Sequence, residues 1–302
     1  MELDRLLRAM NVEVHDFALC TLGKLEQHRF ERSHLASVHY VVEGHGTIKL
    51  DSGQSLELKP HFFLVIPPDM RFEIVSSVKE QKTLPVLGQV CQSVPKDWKQ
   101  LGKGTSENCG LQLLCGQVEA LYGQAIGLFN MLDTTLFADF SGDSATMYHF
   151  HNILDDLAHD RPGHLAMAEN LLQRCFILIL QQECNDGHCK MPWLTALGDT
   201  RLSKVLQVMM DNRKGSHSLE DFANYAGMSR ASFAAHFQSS FGKSPMAFYN
   251  DIRLREAAKL LKTTDWPVKR VANHIGYASR SHFESSFKKF SGSSPTQYRA
   301  VS

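Results

Sequence analysis

Two arginines fifty positions apart, Arg230 and Arg280, each follow a serine that can cap a short helix, Ser229 and Ser279. An exposed guanidinium can fork onto O6 and N7 of guanine, so these positions point to base recognition rather than to bond making. If Phe233 and Phe237 face inward, the open face of the first helix carries Arg230, Ala231, Ala234, Ala235 and Gln238. With Phe283 and Phe287 inward, the second exposes Arg280, Ser281, Glu284, Ser285 and Lys288. The alanines can offer only close approach and contact with thymine methyls, which leaves discrimination to Arg230 and the second helix. Lys269, Arg270, Lys288, Lys289 and Arg299 are suited to phosphates, which position a protein without specifying sequence.

A second group of residues could bind or sense a small molecule. His39, His45, His61 and Arg71 lie in the N-terminal half and are candidate ligand-binding residues. Seven cysteines, at 20, 91, 109, 115, 175, 184 and 189, are expected to be reduced in a cytoplasmic protein and mostly packed as small hydrophobes. Cys184, His188 and Cys189 offer three soft ligands, one short of a structural metal site, and read as an ordinary linker. No catalytic residue, cofactor or metal is assigned.

The elements that must hold these residues show a repeat. The stretch 219–248 returns, with one residue inserted, as 268–298, so that Phe233, Phe237, Gly242, Ser244, Pro245 and Phe248 answer to Phe283, Phe287, Gly292, Ser294, Pro295 and Tyr298. In each copy an apolar stripe at helical spacing ends at a glycine, Gly227 or Gly276, and a serine opens the next helix. This is helix-turn-helix grammar written twice. Between the copies, Ser244 and Pro245 open a helix of about seventeen residues, long enough at ~1.5 Å per residue to space two recognition helices for successive major grooves.

Upstream the pattern changes to short strands and turns. Val38 to Val42 and Thr47 to Leu50 read as a hairpin bracketed by Gly44 and Gly46, and Ser55 to Leu58 and Phe62 to Ile66 follow before Pro67 and Pro68. Evenly spaced strands of this kind predict a small barrel or jelly roll. Phe150, Ile153, Leu154 and Leu157 mark one later helix, and 163–182 a second that is apolar on nearly every face of its second half. That face is expected to pair with a second copy of the chain, with packing on its own barrel as the alternative.

The fold class is therefore mixed, with a β barrel followed by a helical dimerisation segment and an all-α double helix-turn-helix. The expected boundaries are 1–120 for the sensor, 121–184 for the helical segment, 185–198 for the linker and 199–302 for the DNA-binding part.

Charge agrees with this division. Residues 200–302 hold sixteen Lys and Arg against seven Asp and Glu, while 1–199 hold sixteen against twenty-five, so a neutral total conceals a basic half of +9 and an acidic half of −9. A basic half built on paired helix-turn-helix units has the electrostatic footprint of a double-stranded DNA binder. No apolar run is long enough to span a membrane and the first ten residues do not resemble a secretory signal, so a cytoplasmic location is expected.

The run 253–261 (RLREAAKLL) resembles the linker helix of the AraC family of bacterial transcription regulators, and 271–299, with its Ile-Gly-Tyr turn and Ser-Pro-x-x-Tyr-Arg ending, is similar to that family's signature. The motifs His39-x-Val41-x-x-Gly44 and Leu56-x-Leu58-x-Pro60 resemble the cupin-like sensor domain of one subgroup. Enzymatic cupins hold a metal through a His-x-His pair, a Glu and a later His. Here His34, His39 and His45 are spaced by five and six residues and form no His-x-His pair, and Arg71 stands near the place of the later His, so a sensor is expected and a metal cupin enzyme fused to a DNA-binding tail is the alternative. The start of the chain with Cys20, and Leu114-Cys115-Gly116, are similar to members that respond to reactive chlorine. That resemblance implies Cys20 and Cys115 as a redox pair with Cys91 and Cys109 as further partners; sensing of a small-molecule effector is the competing expectation. The apolar helix 163–182 adds an expected homodimer, and the regulator is expected to be an activator, in which case it contacts RNA polymerase.

Overall fold

The computed structural model describes residues 2–77, 109–123, 125–159, 161–184, 191–211 and 217–300. They form two compact units, one of Val12–Ala120 and Leu132–Gln182, the other of Met1–Asn11, Leu121–Met131 and Glu183–Ser302.

The first unit is built on strands β1 (Met10–Gly23), β2 (Gln27–Phe30), β3 (Ala36–Leu50), β4 (Ser55–Leu58), β5 (Phe62–Ile66), β6 (Phe72–Ser77) and β7 (Cys109–Tyr122), followed by the short β8 (Ile126–Gly127), which belongs to the second unit, and by β9 (Leu136–Asp139) of the first. One layer runs β1-β7-β3-β5-β9. The other joins β2, β6, β3 and β4, so β3 belongs to both. Its first half pairs with β5 and β7, its second with β4 and β6.

That sharing corrects the expected hairpin at Gly44 and Gly46. The chain runs straight through as one strand of 15 residues, and the irregularity is a bulge against β7 between Val41 and Glu43. A bulge turns the strand from one layer into the other, and next to it Gly44 sits at φ +87° with the Gly110 carbonyl where a Cβ would lie. Alternation within each half sends Val41, Ile48, Leu50, Leu58, Leu64, Ile66, Phe72, Ile74, Leu111 and Leu113 into one apolar interior.

Helices α2 (Ser144–Ala158) and α3 (His164–Glu183) belong to the same unit. Tyr40 stacks on Phe150 at 3.6 Å between ring centres, and Phe63 meets both Phe150 and Phe176. Asp143 caps α2 by accepting from the Thr146 amide, and Arg174 of α3 donates to the same carboxylate. On α3, Ala168, Leu171, Leu172, Cys175, Phe176, Ile179 and Leu180 are buried within the chain itself. The expected pairing with a second copy therefore does not draw on these side chains; Leu165 and Met167, at the start of α3, are exposed.

The second unit carries α1 (Glu2–Ala9), α4 (Pro192–Ala196), α5 (Thr200–Asp211), α6 (Leu219–Tyr225), α7 (Arg230–Phe241), α8 (Pro245–Thr263), α9 (Val268–His274), α10 (Arg280–Ser291) and α11 (Pro295–Ala300). The repeat is structural as well as sequential. Phe233 and Phe237 of α7, and Phe283 and Phe287 of α10, are fully buried. Each pair holds its helix against neighbours by area burial and by tilted ring contacts at 5.6 and 5.5 Å.

Candidate functional site

In each helix-turn-helix the turn depends on one glycine, Gly227 at φ +63° and Gly276 at φ +79°, where a side chain would be strained. Ahead of the first, Ser218 and Asp221 form a reciprocal capping box on α6, and the Ser218 amide holds the Asp221 carboxyl below the usual carboxylate range. After each turn a serine starts the recognition helix: the Ser229 hydroxyl accepts from the Ser232 amide, and that of Ser279 from the His282 amide. The spacer α8 starts as expected, with Ser244 as cap and Pro245 in its first turn, and runs 19 residues.

With the phenylalanines buried, the open faces are those expected. Ser229, Arg230, Ala231, Ala235 and Gln238 are exposed on or beside α7, with Ala234 half-buried. Ser279, Arg280, Ser281, Ser285 and Lys288 are exposed on or beside α10, with Glu284 half-buried. Arg280 donates through Nε to Glu284 at 2.8 Å, one turn along the same helix. Lys269, Lys288 and Lys289 are exposed, and Arg270, also exposed, lies over the Trp266 ring at 3.9 Å.

Arg299 departs from its expected phosphate role. It is half-buried and donates to the carbonyls of Leu261 (3.2 Å) and Trp266 (2.6 Å), tying α11 to the end of α8. Two further arrangements had no motif to announce them. Arg253 donates to the Ile275 carbonyl at 2.7 Å and lies over the Tyr277 ring. Asp199 accepts from both Arg201 and His236, and the Arg201 contact drives its carboxyl far below the usual range. Only the spatial neighbourhood reveals either one.

The sensor candidates divide. His39 is fully buried on β3, directly across from Cys115 of β7, with Nδ1 at 3.2 Å from the Cys115 Sγ and Nε2 at 3.2 Å from the Ser37 Oγ. Phe30 and Phe72 meet the imidazole edge-on. Burial, reinforced by His28, pushes its pKa down to about 3, so it is neutral near pH 7. Cys20 of β1 lies against the same interior and its thiol pKa is lowered by a hydrogen bond from Cys115. Both are free thiols. Cys175 is the contrast: buried on α3, its pKa is pushed far up by desolvation, as for an inert packed thiol.

The remaining ligand candidates are placed apart. His61 bonds the Tyr40 hydroxyl at 2.9 Å, and Tyr40 and His39, adjacent on one strand, face opposite sides. Arg71 pairs with Glu31 on the surface, and His45 lies six residues further along β3 than His39. Cys91 lies outside the described residues, and Cys109 is placed only as the first residue of β7. Cys184 is disulfide-bonded, a departure from the expectation that every thiol is reduced. Among the described residues, the metal-type side chains that converge are Glu13, His15 and Glu119, none of which belongs to the histidine set considered for a metal cupin.

A helix-turn-helix domain family matches residues 222–300, and a cupin family matches 2–185. Among curated relatives, the HTH-type transcriptional regulator AlkR of Acinetobacter baylyi is 32% identical over 142 residues, 47% of this chain and 46% of its own length. MtrA of Neisseria gonorrhoeae, also an HTH-type transcriptional regulator, is 30% identical over 220 residues, covering 70% and 71%. The RCS-specific HTH-type transcriptional activator RclR of Escherichia coli is 32% identical over 138 residues, covering 46% and 49%. Two of these three matches thus span about half of the relative's length. The chain belongs to the AraC-type transcription regulators that carry an N-terminal cupin domain. No helix among the described residues is long and apolar enough to cross a membrane.

Proposed function

We propose that this protein is a transcription activator that reads double-stranded DNA through α7 and α10 and is switched by oxidation of Cys20 against Cys115. The observation that carries the switch is the Cys20–Cys115 contact inside a barrel whose described core is mostly apolar, with the buried His39 beside Cys115. A lowered thiol pKa marks Cys20 as the nucleophile, because the thiolate is the reactive form. The relative whose name describes an RCS-specific activator supports an oxidant, with reactive chlorine as the class. The basic half, with its two exposed recognition faces, supports DNA as the partner. The active form is a cytoplasmic homodimer that engages RNA polymerase, and oxidation changes the DNA-bound state by favouring one arrangement of the protein over another.

The test is binding of purified protein to the DNA flanking its own gene, reduced and after mild hypochlorite, with Cys20→Ser and Cys115→Ser variants beside it. Oxidant should alter affinity or footprint in the natural protein and in neither variant. If both variants respond like the natural protein, the thiols are not the sensor. A small-molecule effector of the barrel then replaces them.

A further inference from the structure

We propose that Ser37 and His39 form a proton relay that allows Cys115 to close a disulfide on oxidised Cys20 inside the barrel. This rests on the thiol-switch reading above and assigns a role to two residues which that reading does not use. The difficulty it answers is physical. A buried thiol must lose its proton to become a nucleophile, and an apolar interior accepts neither a free thiolate nor a free proton.

The three groups lie in a line. The Cys115 sulfur is 3.2 Å from Nδ1 of His39, and Nε2 of the same ring is 3.2 Å from the Ser37 hydroxyl. Ser37 is half-buried where His39 is fully buried, so the line runs from the interior toward water. Phe30 and Phe72 hold the ring edge-on and leave its two nitrogens pointing at their partners. Register fixes the arrangement further, because His39 and Cys115 are directly paired across β3 and β7.

The chemistry proceeds in two steps. In the resting state the Cys115 S–H donates to the Cys20 sulfur, which attacks hypochlorous acid at chlorine; an S–Cl bond forms, the O–Cl bond breaks, and the Cys20 thiol proton leaves with the hydroxide as water. The Cys20 sulfur, now bonded to chlorine, is a poorer acceptor, and the Cys115 S–H turns to Nδ1. As the Cys115 sulfur attacks Cys20 and chloride departs, its proton passes to Nδ1, the Nε2 proton passes to the Ser37 Oγ, and the serine proton passes to water. Two thiols are oxidised to a disulfide, hypochlorous acid is reduced to chloride and water, and one proton is released to solvent.

Imidazole is suited to this step because it can take a proton on one side while giving one on the other, ending neutral in its second tautomer. Burial strongly disfavours the imidazolium of His39, so storing the proton on the ring is closed and passing it through is open.

The experiment uses the full chain, reduced, mixed with one equivalent of hypochlorous acid, quenched with acid at set times and analysed for the Cys20–Cys115 disulfide by alkylation and mass spectrometry. His39→Gln keeps a polar side chain that cannot relay a proton, and Ser37→Ala removes the outlet at a half-buried position that tolerates the change. Disulfide closure should slow by roughly a hundredfold in each variant, the scale of general acid–base assistance. Cys20 should accumulate as a dimedone-trappable sulfenic acid, formed when water displaces chloride. Closure in the natural protein should also show a solvent deuterium isotope effect that the variants' slower reaction does not share. If both variants close as fast as the natural protein, the relay is wrong while the thiol switch stands. If the natural protein forms no Cys20–Cys115 disulfide, the switch itself fails and the relay with it.

Discussion

Replacing Arg280 by alanine tests how the second recognition helix reads DNA. A bidentate arginine–guanine contact discriminates by about 1–3 kcal/mol. In the free protein, however, Arg280 is held by Glu284 at 2.8 Å, an exposed pair one helical turn apart. Such a pair stabilises by about 0.3–0.5 kcal/mol, which binding must give up. The net loss for Arg280→Ala is therefore about 0.5–2.7 kcal/mol, or roughly 2- to 100-fold in Kd. It should be concentrated on one base pair of the site. Glu284→Gln should act in the opposite direction, tightening binding about twofold by releasing Arg280. The assay is fluorescence anisotropy on the footprinted site and on duplexes with each base pair changed in turn, at several salt concentrations. If Arg280→Ala weakens all duplexes equally and lowers the salt slope by about one, the arginine meets a phosphate and the base-reading argument fails. If Glu284→Gln instead weakens binding at one position alone, the glutamate is itself a reader.

Three further outcomes are expected. Phe237→Ala, which removes a fully buried ring packed on Phe241 at 4.6 Å and Phe248 at 5.3 Å, should cost about 3–5 kcal/mol in denaturant unfolding of the DNA-binding unit. Arg299→Met should lose about 2–3 kcal/mol of stability by orphaning the Leu261 and Trp266 carbonyls, yet leave the salt slope of DNA binding unchanged, which a phosphate contact would not do. The third concerns acid: His39 has a folded pKa of about 3 against an unfolded value of 6.5, so below pH 6.5 the unfolded chain takes up a proton that the folded one refuses. Its contribution is complete above pH 6.5 and is lost as pH falls toward 3, amounting to about 3 kcal/mol at pH 4.5. His39→Gln should flatten that part of the stability profile, measured by urea unfolding at pH 7 and 4.5; an equally steep variant would place the acid sensitivity elsewhere.

The DNA-binding unit was legible because its signals are local. Ser218, Gly227, Ser229 and Phe233 act within a few residues of one another, and caps, turn glycines and helical spacing record such relations directly in the sequence. The long β3 was not legible, because a bulge beside Gly44 and a hairpin at Gly44 place the same residue types at the same positions, and only pairing with β7 distinguishes them. The contact of His39 with Cys115 spans 76 residues and depends on strand register, which no local pattern encodes. Arg299 looked like a surface cation for the complementary reason: its partners are backbone carbonyls, and any residue supplies those.

The doubled reader has a consequence for how this protein can change over generations. What α7 and α10 share is what they bury, Phe233 with Phe237 and Phe283 with Phe287. Where they look outward they differ, alanines and Gln238 on one against Ser281, Glu284, Ser285 and Lys288 on the other. Folding and reading thus occupy separate positions on each helix. If α7 and α10 read DNA as proposed, a substitution at Ala231 or Ala235 retunes one half of the DNA site while the other half keeps its grip, so promoters can be gained or lost one groove at a time.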